Sequence, residues 1–196
     1  MPNRTRTGRT LGPNCQARSI GCRASSRTPP SKADPVSFHL HLRAVPSAEV
    51  RPDSAWIEPF MRESWDNHAA EYDAGIADSI EKDFAQINQL YTGAPDGPAD
   101  PGNPSGLPIF GGTSVPREDG PPFVLLSAEQ VADAAAFLSV TTFDSRWEAS
   151  GAAISAHWGG EPAFVREIFL GHHEDLVAFY RAAADSGKAV LKAFWY

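Results

Sequence analysis

The run KAVLKAFWY, residues 188–196, predicts the centre of a β-sheet. Apolar residues occupy both alternating sets of positions in this run, so a strand formed here has two apolar faces. A strand with two apolar faces is buried on both sides, which is typical of a central place in a sheet. We therefore expect the chain of 196 residues to fold around a sheet that contains this strand.

A second strand is predicted near the other end of the folded part, at SFHLHLRAV, residues 37–45. Its apolar side chains alternate with the polar side chains of His39, His41 and Arg43, as in a strand with one buried face. We expect the polar side to face solvent on an edge of the sheet.

Helical patterns predominate between these two strands. Apolar residues recur at helical spacing, and capping residues or glycines delimit each run. Pro59 is expected to end or kink the first helix. The five expected helices are delimited by Asp53 and Trp65, Asp78 and Gly93, Ser127 and Leu138, Asp144 and Gly159, and Glu161 and Gly187. Helices with a few strands at the start, middle and end predict an α+β fold, in which helices pack around a small mixed β-sheet that includes the N-terminal and C-terminal strands.

Residues 92–122 are expected to form a long irregular loop, since they contain eight prolines and seven glycines. Loops of this length inside a compact domain are usually functional or disordered. Within it, only LPIF at residues 107–110 is expected to form a short strand, and the apolar run FVLL at residues 123–126 then leads into the helix that begins at Ser127.

The first 35 residues differ from the rest in composition. They carry seven basic residues, one acidic residue, both cysteines and no aromatic residue, so they are expected to be disordered. Three interpretations stay open: an arm that binds nucleic acid or an anionic surface, a targeting peptide, and a mis-called start with translation beginning near Val36. We favour the last, and we treat residues 36–196 as one domain.

The folded part carries ten basic and 23 acidic residues, which argues against nucleic acid as its main partner. No apolar stretch reaches the roughly 20 residues of a membrane span, and no secretory signal is present. Because the folded part has no cysteine, we expect a cytoplasmic protein without disulfides. We expect no cofactor, since the pair Gly111-Gly112 lacks the pattern of a dinucleotide or phosphate loop.

Several short motifs occur in a fixed order along this folded part. The most specific lies within residues 79–93, which contain Glu81-Lys82, then Phe84 and Asn88, and the closing Tyr91-Thr92-Gly93. The others are the pair Gly111-Gly112 after a proline-rich loop, LSAEQVADAAAFL at residues 126–138, and AFYRAAADSGKAVL at residues 178–191.

In these motifs and their order, residues 37–196 resemble the YfbM-like family of bacterial domains of unknown function. The resemblance implies helices around a small mixed sheet, and it implies no established activity. The family has a tryptophan where this chain has Phe84 and a histidine where it has Asn88. Because asparagine cannot act as a general base, no catalytic role of that histidine is carried over to this chain.

The six histidines of the chain suggest a metal or acid–base site only weakly. His172 and His173 are adjacent on a predicted helix, where they point about 100° apart and cannot chelate one metal ion together. His172 is expected to face the core and His173 to point elsewhere. We expect no metal site; the alternative is a site at His39 and His41, which share one face of a strand.

Our first hypothesis for function is a non-catalytic module that binds a small molecule or a protein. The alternative is a small hydrolase-like enzyme, with or without a metal, that uses His39, His41, His68 and nearby carboxylates. A homo-oligomer, such as a dimer, is a third hypothesis. The candidate ligand-binding residues are Glu81 and Asn88, expected on one stripe of a helix, the loop residues Gly111 and Gly112, and Trp65 with His68.

Overall fold

Five strands form one sheet in the order β2-β1-β5-β4-β3. The structure, a computed structural model, describes residues 38–96 and 103–195, so the expected disorder of residues 1–35 lies outside the described residues. The strands are β1 (His39–Pro46), β2 (Ala77–Ile80), β3 (Thr113–Val115), β4 (Phe123–Leu126) and β5 (Lys188–Trp195).

The central position of β5 is confirmed. It pairs with β1 over its full length and with β4 on its other side. All four strand pairs are antiparallel, so the α+β fold is confirmed and the expectation of a mixed sheet is wrong. A mixed sheet would need a crossover that returns a strand in parallel, and no pair of the described strands has one.

Six helices accompany the sheet in the described residues. They are α1 (Ser54–Asp66), α2 (His68–Asp73), α3 (Phe84–Thr92), α4 (Ala128–Val140), α5 (Phe143–Trp158) and α6 (Pro162–Asp185). Their termini follow local signals: Asp53 caps α1 by accepting from the Trp56 amide, and Ser127 forms a capping box with Gln130 at α4. Helix α1 continues through Pro59, which therefore does not end it.

The two faces of the sheet are covered by different helices. Alternate residues of β5, such as Val190 and Phe194, face the main core, which α3 to α6 complete. Leu191 and its alternating neighbours in β5 face a second cluster, to which α1 contributes Ile57 and Met61. This two-sided burial explains why the sequence of β5 is apolar at nearly every position.

Strand β1 is internal, so the expectation that its polar side faces solvent on a sheet edge is wrong. It lies between β2 and β5, and helix α1 packs over the side that carries His41 and Arg43. His41 is fully buried as a result. Only the alternation of apolar and polar side chains in this strand is confirmed.

The helix predicted from residue 79 begins later. Residues 77–80 are strand β2, which pairs with β1, and α3 starts only at Phe84. Asp78 therefore caps no helix, and its carboxylate accepts from the Ser79 amide instead. The C-terminal end is confirmed, because Gly93 adopts the left-handed conformation that ends α3.

Residues 107–110 form no strand, contrary to the expectation for LPIF. They form tight turns. The carbonyl groups of Leu107 and Ile109, which a strand would use for pairing, accept hydrogen bonds from the Lys192 side chain of β5 instead. The short edge strand of this region is β3, which the sequence did not predict. In residues 38–96 and 103–195, no helix has both the length and the apolar character needed to cross a membrane.

Candidate functional site

A half-enclosed apolar pocket of about 460 Å³ opens at one end of the sheet. Its volume falls within the range of about 300–1,000 Å³ that small-molecule sites occupy. Every lining side chain is uncharged, and Ser114 supplies the one side-chain hydroxyl. The lining residues are Phe38, Phe84, Phe110, Gly111, Gly112, Ser114, Pro121, Pro122, Val124 and Phe194.

Three phenylalanine rings form the inner wall of this aromatic pocket. Phe110 stacks on Phe194 with ring centroids 5.7 Å apart, and Phe84 contacts both rings edge-on at 5.9 and 5.3 Å. Phe110 comes from the loop before β3, Phe194 from the end of strand β5, and Phe84 is the first residue of α3. Such ring pairs are rigid and apolar, which suits them to hold a flat or aliphatic ligand.

The two wall glycines are required by the packing of the loop. A Cβ on Gly111 would lie 2.9 Å from the carbonyl group of Gly106. Gly112 has φ +126°, and a Cβ there would lie 2.8 Å from the Leu125 carbonyl oxygen. Both glycines let the loop lie close against its neighbours, and this close packing forms one side of the pocket.

Of the six candidate ligand-binding residues, Gly111 and Gly112 line this pocket. Glu81 is exposed in the turn between β2 and α3, so it does not share a helical stripe with Asn88. Asn88 is fully buried, and its amide group donates to the Ala94 carbonyl at 2.8 Å. A ligand-binding role for Glu81 and Asn88 stays a prediction.

Trp65 and His68 lie in a separate cluster on the side of α1. The His68 ring stacks on Trp65 with centroids 5.7 Å apart, and His39 and His41 contact the same indole edge-on. The sequence therefore identified three histidines that do come together. They surround a tryptophan, and in the described part of the chain no group of three His, Cys, Asp or Glu residues could hold a metal ion.

Buried polar groups beside this cluster form a continuous hydrogen-bonded network. Ser64 donates to Glu71 Oε2 at 2.5 Å, and Ser64 Oγ lies 2.8 Å from His41 Nε2. Because the Ser64 proton is directed to Glu71, His41 carries its proton on Nε2 and its Nδ1 accepts from Tyr72. Arg43 completes the network with a bond of 2.6 Å to Glu71.

This network does not have the geometry of a serine hydrolase. A serine nucleophile donates its proton to a histidine base, which a carboxylate orients on the far side. Here Ser64 is the middle group, between the histidine and the carboxylate, and it is fully buried. The arrangement ties β1 to α1 and α2, and it is suited to stabilise the fold.

Burial lowers the pKa of His41 to about 4, with a further contribution from the Arg43 charge. Between pH 6.5 and 4 the unfolded chain therefore binds a proton at His41 that the folded protein does not, so folding loses stability as the pH falls. We expect the stability difference between wild type and His41→Gln to decrease by about 3 kcal/mol across this window. Urea unfolding at a series of pH values measures it.

Asp78 provides a comparison of opposite sign. Burial raises the pKa of Asp78 to about 6, so the folded protein keeps a proton that the unfolded chain loses between about pH 4 and 6. Its contribution to stability therefore falls as the pH rises through that window. Difference curves for His41→Gln and Asp78→Asn should slope in opposite directions, and parallel curves would contradict both assignments.

The two histidines of α6 are placed opposite to expectation. His173 is buried and its Nδ1 lies 3.0 Å from the Tyr91 hydroxyl, whereas His172 is half-buried, with Nε2 3.8 Å from Asp83. The buried stripe of α6 runs through Phe169, His173 and Leu176, at spacings of four and three residues. The prediction that neither belongs to a metal motif is unaffected.

The phenylalanine walls of the pocket are the part of the candidate site that the sequence did not identify. Phe38, Phe110 and Phe194 lie far apart along the chain, and only the antiparallel pairing of β1 with β5 brings two of these regions together. The only local signal was the pair of adjacent glycines at the end of a proline-rich loop. It predicted the loop that lines the pocket but not the other segments that line it.

Comparison with known proteins agrees with this fold. The crystal structure of a protein of unknown function, YfbM from Escherichia coli, is similar with a TM-score of 0.54 and 15% sequence identity, over 80% of this chain and 99% of that chain. At this identity the similarity shows the fold alone. A search of curated proteins gives no match. The family model described as Domain of unknown function (DUF1877) matches residues 39–193, and the chain therefore belongs to this family.

Proposed function

We propose that this protein is a non-catalytic binding module, and that the aromatic pocket holds a small, uncharged, aromatic or aliphatic molecule. The observation that carries the proposal is the pocket itself, which combines four phenylalanine rings with a volume suited to a small molecule. A cytoplasmic location is part of the proposal, in keeping with a folded part that has no cysteine.

The chemistry of the lining limits the ligand. Every lining side chain is uncharged, so a charged ligand group placed inside would lose water without gaining a counter-charge. Stacked and edge-on rings favour flat apolar groups. Ser114 at the rim offers one hydrogen bond, which is enough to orient a ligand that carries a single polar atom.

The neutral fluorescent probe N-phenyl-1-naphthylamine tests this proposal. We expect saturable binding of one probe per chain, about tenfold tighter than binding of the sulfonated analogue 1-anilinonaphthalene-8-sulfonate, because the sulfonate finds no cation in the pocket. Fluorescence titration measures both dissociation constants. Equal affinities for the two probes, or no saturable binding of the neutral one, would contradict the proposal.

A matched pair of variants in β3 locates the probe. Ser114→Trp adds a bulky ring to the pocket and is expected to weaken probe binding about tenfold or more. Thr113→Trp adds the same ring to the next residue, which is also exposed but points to the other face of the strand. This control should bind the probe within about threefold of wild type. Wild-type affinity in Ser114→Trp would place the probe elsewhere, and equal losses in both variants would show that the effect is not specific to the pocket.

A further inference from the structure

Lys192 lies in the middle of β5, and its side chain is fully buried. Its Nζ donates to the carbonyl oxygens of Leu107, Ile109 and Gly111, at 2.5, 2.9 and 2.9 Å. An ammonium group has three protons, so these three acceptors use all of them. The lysine therefore has no donor left for a ligand, and it acts on the loop alone.

The loop above Lys192 is held at nearly every carbonyl group. Between the acceptors of Lys192, the Pro108 carbonyl accepts from the Tyr180 hydroxyl at 2.9 Å. The Gly106 carbonyl accepts from the Gly111 amide at 2.7 Å, which closes the loop on itself. Residues 106–111 are thus fixed from the side of the sheet, and Phe110 projects from between two of the bonded carbonyl groups.

A buried ammonium is an unfavourable group unless hydrogen bonds replace its water. Burial lowers the pKa of Lys192 well below its usual range, whereas the three carbonyl oxygens around Nζ accept from the charged form and favour it. A methionine of similar length would fill the same space without this penalty, but it would leave three carbonyl oxygens without donors. The lysine therefore fixes the position of the loop, because its three protons bind three alternate carbonyl groups to a single nitrogen atom.

We propose that Lys192 is a positioning residue of the aromatic pocket: its ammonium fixes residues 107–111 so that Phe110 stacks on Phe194 and completes the inner wall of the site. The stacking distance of 5.7 Å between these rings follows from this arrangement, because one ring belongs to the fixed loop and the other lies two residues along β5 from the lysine. The inference rests on the proposed function for its consequence, a ligand site whose inner wall has a fixed shape.

Lys192→Met tests the inference, with Leu191→Ala as the matched control. Leu191 is the neighbouring residue of β5, is equally buried and faces the other side of the sheet, so its truncation destabilises the protein away from the pocket. We expect Lys192→Met to weaken binding of N-phenyl-1-naphthylamine about tenfold or more, and Leu191→Ala to change it by less than about threefold.

A spectroscopic measurement separates position from stability. The amide resonances of Gly111 and Gly112 should shift in Lys192→Met and stay in place in Leu191→Ala, whatever the melting temperatures of the two variants. A folded Lys192→Met protein with unchanged glycine resonances and wild-type probe affinity overturns the inference. If wild type binds no probe, the proposed function fails, and the glycine resonances alone then decide the positioning role.

If Lys192→Met does not fold, the Nζ resonance of Lys192 in the wild-type protein tests the positioning role. The Nζ protons of Lys192 are buried and bonded, so their nitrogen resonance should be observable at neutral pH. Saturation with the probe should move this resonance, because the probe contacts the loop that Lys192 holds, and it should leave the resonance of Lys188 unchanged. A Lys192 resonance that does not respond to bound probe overturns the inference.

Discussion

Removal of residues 193–196 is expected to leave the protein largely unfolded at physiological temperature. Ala193 and Phe194 are buried in the central strand, opposite His41 and Leu40 of β1. The loss of one buried phenylalanine side chain alone costs about 3–5 kcal/mol, and a typical domain is stable by only about 5–15 kcal/mol. Thermal unfolding followed by circular dichroism measures the effect.

The point variant Phe194→Leu is the control for this truncation. It keeps the backbone pairing of β5 with β1 and most of the apolar volume, so its loss of stability should be much smaller. A truncated protein that melts near the wild-type temperature would show that the end of β5 contributes little to the fold.

Replacing Arg43 with methionine is expected to lower the free energy of unfolding by about 3–5 kcal/mol. The side chains of Arg43 and Glu71 are only 12% and 13% exposed, and they form an ion pair at 2.6 Å. Arg43 also donates to the Phe60 carbonyl and lies over the Phe60 ring. Its removal leaves the Glu71 carboxylate with little water and without its counter-charge. Urea unfolding at neutral pH measures the loss.

Arg62 lies on the same helix, α1, and offers a matched exposed control. Its ion pair with Glu58 is exposed, with side-chain exposures of 62% and 39%. Arg62→Met should therefore cost about 1 kcal/mol or less. In the double variant Arg43→Met with Glu71→Gln, part of the lost stability should return because no buried charge is left unpaired. Equal losses from Arg43→Met and Arg62→Met would contradict the argument.

Elements with strong local signals could be predicted from the sequence. Capping residues marked the starts of α1 and α4, and positive-φ glycines marked the ends of α3 and α5. Strand β5 was predicted from its apolar pattern. These signals depend on residues that are close together in the chain, so they can be recognised from the sequence alone.

Strand β2 shows why other elements could not be predicted. It has four residues, and Ile80 is followed by apolar residues at helical spacing, so its local pattern also fits the start of a helix. Pairing with β1 decides the matter, and that contact depends on the arrangement of the whole sheet. The pocket is similar, because its rings come from segments that only the sheet order brings together.

Lys192 interrupts the apolar pattern of β5, and the sequence alone does not explain why a lysine occurs there. A lysine in the middle of an apolar strand indicates either an exposed face or a buried charge with fixed partners. Both faces of β5 are covered, which leaves the second possibility. The partners themselves, three backbone carbonyl groups, carry no mark in the sequence, since every residue has one.

The pairing of β1 with β5 has a consequence for how the protein is made. Its paired residues lie roughly 150 positions apart, so the central contact of the sheet has a very long sequence separation. Contacts of this kind form slowly, because a long chain segment must be ordered before they contribute stability. During synthesis, β1 emerges from the ribosome early, whereas its partner β5 is translated last among the described elements. The full sheet is therefore expected to assemble only after residue 195 has emerged. Until then β1 can pair with β2 alone, and its other edge is open to chaperones and to aggregation.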